Sequence, residues 1–339
     1  MGLTASPFLK NVKKGVSIMV KHIIKRVLMM IPILLAVTII IFTLMSLVPG
    51  DPATIAASGA NVTEEQLDAI RESMGLNQPF FTRLINYIGN VFLHLDFGNS
   101  YSDGSAVGPE LLIRFFTTFR IAIIGMIVML LIGIPIGIKC AVKPNSVFDR
   151  VSMFVTMIGN SMPLFWLGLM LVLLFSFKLK WLPSYGSDNW KCYVLPVICV
   201  AFEGMAGIAR QTRASMLEVI RSDYITTARS KGLPERKVIY GHALKNALVP
   251  VITVIGNQFG RLIGGVVVVE SIFSIRGISV YLLNGINSRD YNVVQGSLIV
   301  IAFLFSVVML ITDLVYTFVD PRIKARYSTG KKKRRAENA

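Results

Sequence analysis

Charge is scarce in this 339-residue chain. Asp, Glu, Lys and Arg make up 16% of it, against roughly a quarter in soluble domains. Apolar residues make up 53%, and the mean hydropathy is +0.63. A soluble protein could not cover itself with so few polar side chains, so the composition points to a polytopic membrane protein and excludes a disordered chain. Cysteine is nearly absent. Cys140, Cys192 and Cys199 form no CxxC pair, which removes a disulfide scaffold and leaves them as small packing residues. Histidine is equally sparse: His22, His94 and His242 are scattered, so no metal cluster is expected. There is no GxxxxGK[ST] phosphate loop, no HExxH and no GxSxG. The chain carries no recognisable covalent chemistry, and any work it does draws energy from a partner or from an ion gradient.

What is present is apolar length. Six stretches, near 27–48, 116–142, 153–177, 193–213, 248–273 and 293–319, each have about 20 residues or more. At about 1.5 Å per residue each can cross a hydrocarbon core of about 30 Å, and in lipid such segments are helices. The first is too long for a signal-peptide core and is followed by no small-x-small cleavage pattern, so it reads as a retained anchor. Residues 1–18 read as an appended tail, with Met19 an alternative start. The net charge of +16 fits cationic loops that orient a membrane protein better than a nucleic-acid surface. Loops on the N-terminal side of the spans hold 25 Lys and Arg, and those on the other side hold 8, which places both termini in the cytoplasm.

Three zones lie outside the spans. In the external segment 49–115, Thr63 is placed to cap a short helix ending near Gly75. After it, Phe81, Leu84, Ile85, Ile88, Val91 and Phe92 recur at helical spacing, suiting a helix on the membrane surface or against the spans. The second zone is a cytoplasmic elbow at 222–247. Ser222 is placed as N-cap, Asp223 sits at the positive helix end, Gly232 supplies a left-handed terminal residue, and Pro234 stops one helix and starts the next. Small Ala228 and Gly232 allow another backbone to come close, so the elbow reads as a docking surface. The third zone is the external loop 274–292. The organisation expected is a cytoplasmic tail at 1–20, a first span with the external segment at 21–110, a five-span core at 111–320, and a basic tail at 321–339.

Polar groups inside the spans are candidates for a pathway. Asn257 and Arg261 share a face of span 5, and a charge at that depth should face a cavity or a partner. Glu270, Glu203 and Asp313 are further candidates, with an Arg210–Glu203 ion pair an equal reading of Glu203. Gly256, Gly260 and Gly264 repeat every four residues and read as a helix-packing stripe.

The elbow resembles the permease subunits of ABC importers, specifically the dipeptide/oligopeptide branch and the first permease of its pair. The residues that carry the likeness are Asp223-Tyr224, Ala228-Arg229-Ser230-Lys231-Gly232-Leu233 and His242-Ala243-Leu244-Lys245-Asn246-Ala247-Leu248-Val249-Pro250. Thr226-Thr227-Ala228 stands where the general motif has Glu-Ala-Ala. Further similar stretches are Val48-Pro49-Gly50-Asp51-Pro52, Gly75-Leu76-Asn77-Gln78-Pro79, Asp96-Phe97-Gly98-Asn99-Ser100, the 264–270 run, Arg289-Asp290-Tyr291 and Asp320-Pro321-Arg322-Ile323. At Ser274-Ile275-Arg276-Gly277 the sequence departs from the branch's aromatic-Pro-Gly turn.

The resemblance implies an all-α membrane protein with six transmembrane helices in the type I importer permease fold. It implies ATPase coupling through Asp223, Tyr224, Ala228, Arg229, Lys231, Gly232 and Leu233. It also implies a second permease subunit, two cytoplasmic ATPase subunits that hold ATP and Mg, and an external binding protein, all in the plasma membrane's lipid setting and without nucleic acid. Rival readings are a same-family permease for a nickel chelate or oligosaccharide, a gradient-driven secondary transporter, and a membrane-embedded enzyme.

Overall fold

The computed structural model describes residues 7–57 and 62–319, with the side chains of residues 7–22, 263, 313 and 315–319 outside the described set. Asp313 and the basic tail at 321–339 therefore lie outside the described side chains, as does the 320–323 stretch. No strand forms among the described residues; one isolated bridge pairs Asn99 with Ala106. Helix α1 runs Pro7–Leu47, and its membrane-spanning part is Ile23–Leu47. Short helices α2 (Pro52–Ala56), α3 (Glu64–Ser73) and α4 (Phe80–Gly89) follow, α4 continuing through a π turn at Asn90–His94. Thr63 caps α3 as expected, in a reciprocal pair with Gln66. Phe80 and Tyr87 of α4 lie against the Phe42 ring of α1, while Phe81 and Ile85 stay exposed.

The spans come next: α5 (Val107–Val142), α6 (Val147–Ser161), α7 (Leu164–Leu171) and α8 (Val194–Ile220). The elbow is α9 (Asp223–Ser230) and α10 (Glu235–Lys237), which runs through a π turn into α11 (Leu244–Ile272). Last are α12 (Ile278–Asn287) and α13 (Tyr291–Val319). Five of these stretches are long and apolar enough to cross a membrane, namely Ile23–Leu47, Val107–Val142, Trp190–Ile220, Glu235–Leu262 and Tyr291–Thr312.

The third expected span, 153–177, is not one straight helix. Val147–Ser161 and Leu164–Lys178 meet at 106°. The cause is local. Pro163 has no N–H to continue the ladder, and it pushes Met162 into the extended region, at φ −79° and ψ 127°.

The central seam is α5 against α8. It is close because small residues line it. A β-carbon on Gly137 would come within 2.6 Å of both the Ala209 carbonyl oxygen and the Thr212 Cβ, and one on Gly133 within 3.1 Å of the Met205 carbonyl. The Gly256–Gly260–Gly264 stripe is only partly used: Gly256 faces Thr312 and Gly260 faces Phe305 of α13, whereas Gly264 has nothing within 4 Å. The third external zone is more than a loop. Its Ile275 and Ile278 are buried, and α12 folds back onto α13 and α5.

Candidate functional site: a polar groove, a buried cap and an exposed elbow

Helices α6, α8 and α11 line an open groove of about 450 Å³. Its walls hold Asn160 from α6, Gly207, Arg210, Gln211 and Ala214 from α8, and Val254, Asn257, Gln258 and Arg261 from α11. The spacing explains the wall. Gly207, Arg210, Gln211 and Ala214 follow the 3–4 rhythm of one helix face, as do Val254, Asn257, Gln258 and Arg261. Asn257 and Arg261, expected together, are together here. Arg261 forms an ion pair with Glu203, so Glu203 turns to Arg261 and away from the Arg210 partnership read from sequence. Arg210 instead sends Nη1 toward the Thr156 carbonyl at 3.5 Å.

Glu270 stands apart from this groove. Its side chain is fully buried and its oxygens are occupied. The Thr118 hydroxyl donates to Oε1 at 2.6 Å, and the Ser279 and Val280 N–H groups donate to Oε2 at 3.0 and 3.3 Å. Thr118 Oγ1 in turn accepts the Ile278 N–H at 2.9 Å. The carboxylate thus satisfies the first N–H groups of α12, where a helix favours negative charge. Gly277 makes the room, since a β-carbon there would collide with the Glu270 carboxyl. The Ser274-Ile275-Arg276-Gly277 turn therefore needs its glycine.

Sequence reading missed two networks. Asp149, capped into the start of α6 by Ser146, receives Arg213 Nε at 2.6 Å and Nη2 at 2.7 Å and ties α6 to α8. Asp290, also buried, accepts from Ser100 Oγ at 2.6 Å, Tyr101 N–H at 2.8 Å and Val293 N–H at 3.2 Å. Burial, with the Asp290 charge adding to it, pushes the Tyr101 phenol up to about 12. Asn292 donates to the Asn99 carbonyl at 2.9 Å, and Tyr291 donates to the Val48 carbonyl at 3.4 Å. Three of the stretches that carry the family likeness, 48–52, 96–100 and 289–291, therefore converge at one end of the molecule. The signal for this was Asp290, an aspartate directly before a long apolar helix, the usual N-cap position. Replacing Asp290 by Ala should cost on the order of 3 kcal/mol and speed hydrogen exchange at the Tyr101 and Ser102 amides at least tenfold; unchanged exchange would show that the network is incidental.

The elbow has the expected punctuation. Gly232 has φ +74°, in the left-handed region open to glycine. Ser222 precedes α9, but its hydroxyl donates to the Val219 carbonyl at 2.6 Å and does not cap the helix. Arg229 and Glu235 form a two-pronged ion pair at 2.7 and 3.1 Å across the turn, which holds the Arg229 guanidinium above its ordinary pKa. Asn246 donates to the Tyr224 hydroxyl at 2.8 Å. Asp223, Tyr224, Arg229, Lys231 and Gly232 are exposed and Leu233 is half-buried. Ala228 is buried, packing with Ile225 on Ile138, Met216 and Val238. Its small size serves the chain's own helices, whereas Gly232 is exposed with nothing within 4 Å of it.

Apolar helices around a polar groove, with an ordered elbow outside them, define a polytopic helical membrane protein. A family model described as the binding-protein-dependent transport system inner membrane component matches residues 133–325. A second model, for the N-terminal part of that component, matches residues 19–122. The dipeptide transport system permease protein DppB of Alkalihalophilus pseudofirmus is 39% identical over 334 residues, covering 90% of this chain and 100% of the relative. The glutathione transport system permease protein GsiC of Escherichia coli K12 is 37% identical over 306 residues, covering 90% of this chain and 99% of the relative. A solved inward-facing structure of the MetNI methionine ABC transporter shares the fold, with a TM-score of 0.52 at 16% identity over 62% of this chain and 96% of that one. The chain belongs to the family of binding-protein-dependent transport system inner membrane components. It is a multi-pass permease subunit of an ABC transport system, a component that is not itself catalytic.

Proposed function

We propose that this permease carries di- or oligopeptides inward, with six membrane crossings and both termini in the cytoplasm. The observation that carries the cargo reading is the pair of relatives, dipeptide and glutathione permeases, 37–39% identical across 90% of the chain. The loop charges support the sidedness. The broken helix is the sixth crossing, its irregular backbone supported by α8 and the groove. The working assembly pairs this chain with a second permease, two cytoplasmic ATPase subunits that hold ATP and Mg, and an external binding protein. Asn257, Arg261 and Glu203 border the route, and the external segment 49–115 contributes to the face that meets the binding protein.

Residues 223–234 are the coupling element, with Asp223, Tyr224, Arg229, Lys231, Gly232 and Leu233 toward the ATPase and Ala228 anchoring the elbow from within. Closure of the ATPase pair on ATP draws the elbows together and rocks the spans between two states. Gentle purification from the native membrane with mass spectrometry of the co-purifying chains tests the assembly. A second permease and two phosphate-loop ATPases are expected; a chain that stays alone and transports under an ion gradient would replace this reading with a secondary transporter. At the elbow, Gly232→Val forces a β-branched residue into the left-handed region at a cost of about 1–2 kcal/mol. It should cut ATP-driven uptake at least tenfold with membrane insertion intact, and normal coupled uptake would remove 223–234 from the coupling role.

A further inference from the structure

The groove has an unbalanced chemistry. Its walls carry two guanidiniums, Arg210 and Arg261, and four side-chain amides, yet no carboxylate. Arg261 is neutralised by Glu203. Arg210 is not: among the described residues no carboxylate lies within ion-pair distance of it, and its one hydrogen bond is the 3.5 Å contact to the Thr156 carbonyl. Of the four amides, Gln258 is buried and donates to the Gly204 carbonyl at 3.4 Å; the other three keep hydrogen-bonding capacity. Among the described residues, Gln211 donates to Ser215 Oγ at 3.0 Å and its carbonyl accepts nothing, and the Asn160 and Asn257 side chains make no hydrogen bond. Arg210 stands at the end of its span on the wall of an open groove, and a guanidinium so placed can meet an anionic group in a charge-assisted pair. A volume of about 450 Å³ falls within the range of small-ligand sites. Lipid fits poorly, because the apolar lining is limited to Gly207, Ala214 and Val254, too little to seat an acyl chain.

We propose that the groove is a carboxylate-recognition site on the cargo's route. Arg210 pairs with the cargo's terminal carboxylate, and Asn160, Gln211 and Asn257 offer donors and acceptors to the adjoining peptide units. This rests on the peptide-cargo reading above. A guanidinium–carboxylate pair is short, charge-assisted and geometrically selective, so the site distinguishes a free C-terminus from a blocked one.

The test uses the complete transporter in proteoliposomes with tri-alanine and tri-alanine amide, each variant scaled to wild type on the same cargo. Arg210→Gln should lower tri-alanine uptake about tenfold and leave the amide within twofold, and Arg210→Lys should recover most of the loss. Equal losses on both cargoes, or none, overturn the proposal. A second measurement does not depend on what the binding protein accepts. Phenylglyoxal labelling of Arg210 in the purified complex, read by peptide mass mapping, should slow severalfold with tri-alanine and not with its amide. Equal protection by the two, or none, overturns it. If the wild-type complex takes up no peptide on ATP, the cargo reading falls. Acetate in the labelling assay then still decides whether Arg210 holds a carboxylate: protection supports the site and its absence overturns it.

Discussion

Glu270→Ala should leave little folded protein in the membrane. The substitution strands the Thr118 hydroxyl and the Ser279 and Val280 N–H groups in a buried site, and it opens a void where Gly277 and α12 close over the carboxyl. Each orphaned buried donor costs about 1–3 kcal/mol, so a total near 5 kcal/mol is expected, against about 5–15 kcal/mol for a whole domain. Glu270→Gln keeps one acceptor oxygen and should cost about 1–3 kcal/mol. Thermal unfolding of the detergent-solubilised protein measures both, and a Glu270→Ala protein as stable as wild type would show that the cap does not hold α12. The expected order, Ala far below Gln, also separates this role from one on the transport route. A pathway carboxylate would spare stability and change uptake.

The α5–α8 seam gives the second large effect. Gly137→Val places a branched side chain 2.6 Å from the Ala209 carbonyl oxygen and the Thr212 Cβ. One is backbone and the other is fixed to it, so neither can swing aside and the helices must part. Overpacking in a well-packed interior typically costs about 1–3 kcal/mol; with backbone in the way, more than 3 kcal/mol is expected. Gly133→Ala, which meets the Met205 carbonyl at 3.1 Å, should lie in between. Gly264→Ala should be neutral for the fold, since nothing lies within 4 Å of it. Accumulation of the three variants in membranes tests the ranking, and an inverted order would mean that the seam is looser than its geometry.

Much of this architecture could be read from hydropathy and punctuation, because both are local. Span positions follow from runs of apolar residues, and the elbow follows from Gly232 and Pro234. What stayed hidden depended on direction or on distance along the chain. Pro163 was visible, but hydropathy is the same for a straight helix and for two arms at 106°. The Gly stripe was visible, but an α-helix advances about 400° in four residues. Each step therefore drifts by about 40°, and by the third glycine the face has turned from α13. Glu203 and Glu270 look alike in sequence. Their partners, Arg261 and Thr118, lie 58 and 152 positions away, and those partners put one beside an open groove and the other in a closed cap. The polar groove itself was half legible: Asn257 and Arg261 by their shared face, Arg210 only as a charge at the end of a span.

The break at Met162 and Pro163 also sets what the third apolar stretch can do unaided. Its first arm has 15 residues, about 22 Å of helix at 1.5 Å per residue, and the second arm, Leu164–Lys178, is of similar length. Neither reaches across a hydrocarbon core of about 30 Å, and the unpaired backbone groups at the break have no place in bare lipid. The pair therefore leans on neighbouring protein: α8 lies against both arms, and Asp149 of the first arm closes on Arg213 of α8. A single proline thus makes one apolar stretch dependent on the next for its place in the fold.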